Sequence, residues 1–188
     1  MFSKFFKPRV AVQAGKALYA AAVTQSRQPV FYRLLGITDD MGGRFELLAL
    51  HVMLILERLK GRGEAASETG QALFDTFIRA LDDVLREQGV GDLAVARQMK
   101  KLGQHVYGRI QAYETAFSAE EPGQALADTL VRIVYAEQTP DDGHLEGLIR
   151  YIQDSRSALA AQPLEGLVSG QVTWPPILLA DSSQKDPA

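Results

Sequence analysis

The chain has 188 residues, 46% of them hydrophobic, and a formal charge of −3, which suits one domain around one sizeable core. It contains no cysteine, so disulfides and thiolate metal sites are excluded and a reducing compartment is expected. No apolar run reaches the roughly 18 residues that a membrane-spanning helix needs.

Charge is unevenly spread. The first 38 residues carry Lys4, Lys7, Arg9, Lys16, Arg27 and Arg33 and no acid, so a basic amino-terminal part precedes an acidic body. An anionic partner, lipid or nucleic acid, follows from that asymmetry. Residues 1–9 form an arm too short and too interrupted for a signal peptide. In it Phe2, Phe5 and Phe6 alternate with Lys4 and Lys7. Such an arm reads either as an interfacial foot on an anionic membrane or as a loose aromatic terminus.

Residues 10–162 are expected to form the helical body. Val10–Arg27 is Ala-rich, with Val12, Tyr19 and Val23 on one face and small residues that let a neighbour approach closely. Pro29 breaks it, and Phe31–Leu35 makes a short helical turn before a Gly36–Gly43 connector. Phe31 and Tyr32 are expected to pack under that connector, a binding pocket being the alternative reading. Asp39 and Asp40 offer caps for a helix over roughly Gly43–Lys60. That helix is apolar nearly all round, hence buried and central. His51 sits mid-helix without a ligand partner and is expected as a hydrogen-bonded core histidine.

Gly61–Gly70 reads as a polar loop leading into a hairpin over Leu73–Phe117. One arm places Leu73, Phe77, Leu81, Val84 and Leu85 on one face; the other draws Val95, Met99, Leu102, Val106, Ile110, Tyr113 and Phe117 into a stripe. Gly89, followed by Gly91, is expected to end the first helix, and Asp92 to cap the second. Helices over Ala125–Glu137 and His144–Ala161 follow, separated by a Pro-Asp-Asp-Gly turn. Residues 163–188 read as an extended tail anchored by Trp174, its last eight residues disordered. The expectation is an all-α single-domain bundle of six to seven helices around a central helical hairpin.

No enzyme grammar survives inspection. The GxGxxA match at Gly89 follows a charged helix where the fingerprint needs a strand. The acidic doublets resemble magnesium-holding aspartate motifs, but after Asp82-Asp83 the matching position is Arg86, and Asp39-Asp40 and Asp141-Asp142 are expected at turns. No cofactor is called for, and an all-α enzyme acting on an isoprenoid or other lipid-soluble molecule remains as the alternative class.

The charged faces of the hairpin are more informative. Asp75–Arg79 and Asp82–Arg86 alternate at helical spacing and are expected to pair locally. Arg97, Lys101, His105 and Arg109 recur every four residues with Lys100 beside them, a basic ribbon interleaved with Tyr107 and Tyr113. Aromatic residues among cations suit a polypeptide partner. Arg109 borders the apolar stripe, where it could instead pair with an acid of the preceding helix such as Asp82.

The segments Gln28-Pro29-Val30-Phe31-Tyr32, Gly43-Arg44-Phe45 and Leu85-Arg86-Glu87 resemble those of the ubiquinol–cytochrome c chaperone family. So do Gly89-Val90-Gly91-Asp92, Tyr107-Gly108-Arg109 and Ala112-Tyr113, in matching order over roughly residues 12–160. The resemblance implies an all-helical, non-enzymatic assembly factor for respiratory complex III that binds newly made cytochrome b. Mitochondrial members of that family work with a small co-chaperone near the ribosome exit, and DNA is not among the partners implied. The chain resembles a bacterial-type member, expected in the cytoplasm and peripheral on the inner membrane. Its Trp174 tail stands outside the resembling motifs. Client contact is then expected at Arg97, Lys100, Lys101, Tyr107, Arg109, Phe31 and Tyr32. Asp75, Asp82, Arg86, Gly89, Gly91, Asp92 and Tyr113 are expected to be structural.

Overall fold

A helix apolar nearly all round must be covered nearly all round, and this decides the architecture. The computed structural model describes residues 3–87 and 92–177, with side chains from residue 9 onward except at 92–96 and 142. Among the described residues there are eight helices and no strand: α1 Ser3–Ser26, α2 Pro29–Arg33, α3 Met41–Leu59, α4 Glu64–Glu87, α5 Asp92–Ser118, α6 Pro122–Ile133, α7 Asp142–Ala161 and α8 Leu164–Val168. The expectations for Phe2, Gly89, Gly91 and the last eight residues lie outside this description, as do the side chains of Lys4, Phe5, Phe6, Lys7 and Asp92.

Helix α3 is the axis of the bundle. Asp40 starts it, its Oδ1 accepting from the Gly43 amide at 2.8 Å. Leu47, Leu50, Leu54 and Ile55 are fully enclosed, on different sides of the same helix. Helices α1, α4, α5 and α7 all pack on it.

The most extensive helix contact is that of α1 on α4, followed by α5 on α6; the α4–α5 contact is smaller. The hairpin is therefore one part of the wall, and α3 is its centre. Helix α1 turns Ala11, Ala14, Gly15, Leu18 and Ala22 inward, while Val10 and Val12 are exposed. The face expected from Val12, Tyr19 and Val23 is thus displaced. Close approach explains it: a Cβ built on Gly15 would lie 2.6 Å from the Ala72 carbonyl carbon and the Leu73 amide nitrogen. Backbones this near tolerate only small side chains between them.

Helix α4 starts nine residues earlier than Leu73, so most of the expected Gly61–Gly70 loop is helical. Ala66, Thr69 and Gly70 are buried there, and the turn itself is confined to Gly61–Gly63. The small polar residues that read as a loop are the ones that fit between packed helices. Helix α6 stops at Ile133, short of Glu137, because Ala136 and Glu137 adopt left-handed φ of 50° and 64°. Burial raises the Tyr135 pKa, and its hydroxyl fixes this corner by donating to the Leu35 carbonyl at 2.9 Å.

Polar clamps join α3 to the later helices. Glu57 takes Arg156 through both carboxylate oxygens, at 2.6 and 3.0 Å, and the guanidinium lies 4.0 Å over the Phe117 ring. Arg58 donates to the Leu159 and Gln162 carbonyls at 2.7 and 3.1 Å, closing the end of α7. Residues 163–170 form the short α8 and a turn rather than a fully extended run. Gly170 has φ +89° where the chain passes over α1, and a Cβ added there would lie 2.9 Å from the Ala17 Cβ. Beyond it the Gln162 side chain bonds both the amide and the carbonyl of Thr173 at 2.8 Å, and Trp174 meets the His51 ring edge-on at 4.9 Å.

Candidate client-binding surface

Titratable groups in the core decide whether chemistry is available. His51 is fully buried, with Nδ1 2.7 Å from the Leu47 carbonyl and Nε2 2.8 Å from the Tyr151 hydroxyl. A carbonyl only accepts, so Nδ1 carries the proton and Nε2 accepts from Tyr151. Gln25 donates to the same hydroxyl at 3.0 Å. Desolvation pushes the His51 pKa down to about 4, opposed by the Leu47 bond. Neutral and enclosed, His51 ties α3 to α7 as a core histidine. Among the described residues no group of His, Asp or Glu is placed to hold a metal ion.

The basic ribbon divides in two. Arg97, Lys100, Lys101 and His105 are exposed on α5. Arg109 is not part of that surface, for its Nε donates to both oxygens of Glu46 at 3.1 Å. Its partner belongs to α3, not to the preceding helix; Asp82 is taken instead by Arg86 at 2.7 Å, as the spacing implied. Asp75 accepts from Gln71 at 2.8 Å rather than pairing with Arg79. Tyr113 is enclosed beside the Glu46–Arg109 pair, its pKa raised by burial and further by Glu46.

Phe31 has no exposed surface and packs edge-on against Tyr151 at 5.0 Å and His51 at 5.5 Å. Tyr32 is half-buried and donates to the Ser26 carbonyl at 2.9 Å. Phe31 is enclosed between α3 and α7 and Tyr32 is tied to the end of α1, so neither offers the open aromatic face that a partner would grip. Tyr107 does: it is 64% exposed, its ring 5.9 Å from Phe74 at the mouth of a cleft of about 330 Å³.

A larger concavity lies away from the residues to which the sequence points. It is a groove of about 710 Å³ where the ends of α1 and α4 meet the start of α3 and one turn of α5. Its walls are Val23 of α1, Phe45 and Leu48 of α3, Leu81 and Leu85 of α4, and Leu102 of α5. Met41 and Val84, 68% and 43% exposed, stand on its rims. The hairpin carries more apolar stripe than the fold covers, and the remainder opens here. The signal in the sequence is the Val84-Leu85 pair at the end of that stripe, together with Met41 directly after Asp39 and Asp40.

Comparison with known proteins bears on what such a surface holds. Residues 33–174 match the family model described as Ubiquinol-cytochrome C chaperone. The match runs through Trp174, so this part of the tail belongs to the family region. Ubiquinol-cytochrome c reductase complex assembly factor 1 of Homo sapiens is 23% identical over 93% of this chain and 58% of its own length. The Xenopus laevis assembly factor is 22% identical over 95% of this chain and 88% of its own length. The chain thus spans under two thirds of the human relative and most of the frog one. The crystal structure of the Cbp3 homolog from Brucella abortus superposes with a TM-score of 0.81, at 31% identity, over 94% of this chain and 98% of that one. By a match that covers most of its length, the chain belongs to the ubiquinol–cytochrome c chaperone family.

Proposed function

We propose that this protein is an assembly chaperone for the ubiquinol–cytochrome c reductase complex and that it holds newly made cytochrome b until partner subunits join. The family match over residues 33–174 carries this reading. A surface suited to polypeptide supports it: an open apolar groove, an exposed Tyr107 and the exposed cations Arg97, Lys100 and Lys101 on α5. Cations at the edge of such a surface steer encounter and suppress wrong partners. No helix among the described residues is long and apolar enough to cross a membrane. The protein then meets its client from the cytoplasmic side of the inner membrane, with the Phe- and Lys-rich arm giving weak contact to anionic lipid.

The test is recovery of cytochrome b with the tagged full chain from solubilised membranes, alongside haem b absorbance of membranes from cells lacking the protein. Co-recovery and a depleted reductase are expected. Membranes with a normal reductase content would remove the proposed role.

A further inference from the structure

We infer that the groove between α1, α3, α4 and α5 binds an apolar, membrane-type helix bearing a carboxylate within a turn of its anchoring side chains. The inference rests on the chaperone reading and says which surface takes the client and what the client must present.

Three observations lead to it. The lining is mainly apolar, and most of its polar groups are already engaged. Asp39 is bound to Arg44 at 2.7 Å, Asp40 caps the Gly43 amide at 2.8 Å, and the Ser26 hydroxyl donates to the Val23 carbonyl at 3.1 Å. A small polar ligand would find few directing groups, whereas an apolar surface would find a matching wall.

The wall also has the dimensions of a helix. Met41, Phe45 and Leu48 follow one another at intervals of four and three along α3, two turns or about 10 Å. Opposite them Leu81, Val84 and Leu85, at intervals of three and one, form a shorter ridge of about one turn on α4. Such paired ridges accept side chains at i, i+4 and i+7 of a third helix. Met41 and Val84, one on each rim, add exposed apolar surface to both lips, and methionine adapts to irregular partners.

Charge supplies the last element. Arg27 lines the groove and takes part in no ion pair among the described residues. Lys101, adjacent to the lining residue Leu102, is exposed on the α5 side. A client helix with an acidic residue beside its anchors would place that carboxylate against Arg27, a charge-assisted contact that fixes direction as well as register.

The experiment uses the full chain and two fluorescent helical peptides with identical leucine and alanine anchors, one with glutamate at the end and one with lysine. Binding is followed by anisotropy in mild detergent. Val84→Asp is expected to weaken the glutamate peptide about tenfold or more while the thermal melt stays in place. Arg27→Glu is expected to reverse the preference between the two peptides. Unchanged affinity for both peptides in Val84→Asp overturns the inference. So does saturable binding of a ubiquinone analogue by a protein that takes neither peptide. Val84-dependent peptide binding with a normal reductase in cells lacking the protein keeps the groove and removes the assembly role. Wild-type peptide binding by Val84→Asp, with a reductase defect in those cells, does the reverse.

Discussion

Arg109 and His51 show how far a side chain's neighbours decide its meaning. Arg109 sits in a basic series whose other members face water, yet its carboxylate partner on α3 makes it a strut between two helices. Its side chain is 26% exposed and that of Glu46 10%, so removing the guanidinium leaves a nearly buried carboxylate unpaired. Loss of client capture by an Arg109 variant must therefore be read against its stability, whereas Lys100 and Lys101 carry no such burden. His51 makes a different demand. Its folded pKa of about 4 lies below the 6.5 of an unperturbed imidazole, so between those values the unfolded chain binds the extra proton. The stabilisation is whole above pH 6.5, declines as the pH falls toward 4, and does not change further below it. Its upper bound is about 3 kcal/mol. Denaturant midpoints at pH 7 and pH 5 are expected to fall further apart in the wild type than in His51→Gln. Equal pH sensitivity of the two would show that His51 is not held neutral.

At the scale of the element, the pairing of α1 with α4 is governed by what is missing from Gly15. Gly15→Ala drives a methyl into the backbone of Ala72 and Leu73, and a loss of about 1–3 kcal/mol is expected. Gly103 in α5 has nothing within 4 Å of the same added methyl, so Gly103→Ala is expected to stabilise by up to about 1 kcal/mol through helix propensity alone. Urea midpoints that rank the two variants the other way would place the α1–α4 contact elsewhere. Periodicity made α3, α5, α6 and α7 legible, since each carries a bulky stripe with a helical repeat. It misplaced the buried face of α1 and missed the start of α4, where alanine and glycine build the interface and hydrophobicity scales see little contrast. The groove was hidden for the opposite reason. Its residues have the same pattern as a core stripe, and only the position of neighbouring helices leaves them open. The ion pair Glu46–Arg109 and the pair Glu57–Arg156 join residues 63 and 99 apart in sequence, a separation that no local spacing rule reaches.

Across the whole molecule, one segment reports on the integrity of the rest. Residues 171–177 make no helix of their own; they lie on the body through the Gln162 clamp and the Trp174 ring against His51. His51 in turn reaches Tyr151 on α7 and, through it, Gln25 on α1, so the tail rests on a polar network shared by three helices. If that network is one cooperative unit, the tail should not leave while the helices stay. Trp174 is the only tryptophan in the chain, which makes its emission a local probe. In urea, the shift in Trp174 emission and the loss of far-ultraviolet helical signal are expected to share one midpoint. Tyr151→Phe removes the donor to His51 Nε2 and is expected to lower both midpoints together, by about 1–3 kcal/mol in stability. Should the emission change at clearly lower urea than the helical signal, the tail undocks on its own. The contact between Trp174 and His51 would then be an ornament of the bundle and not part of what holds it together.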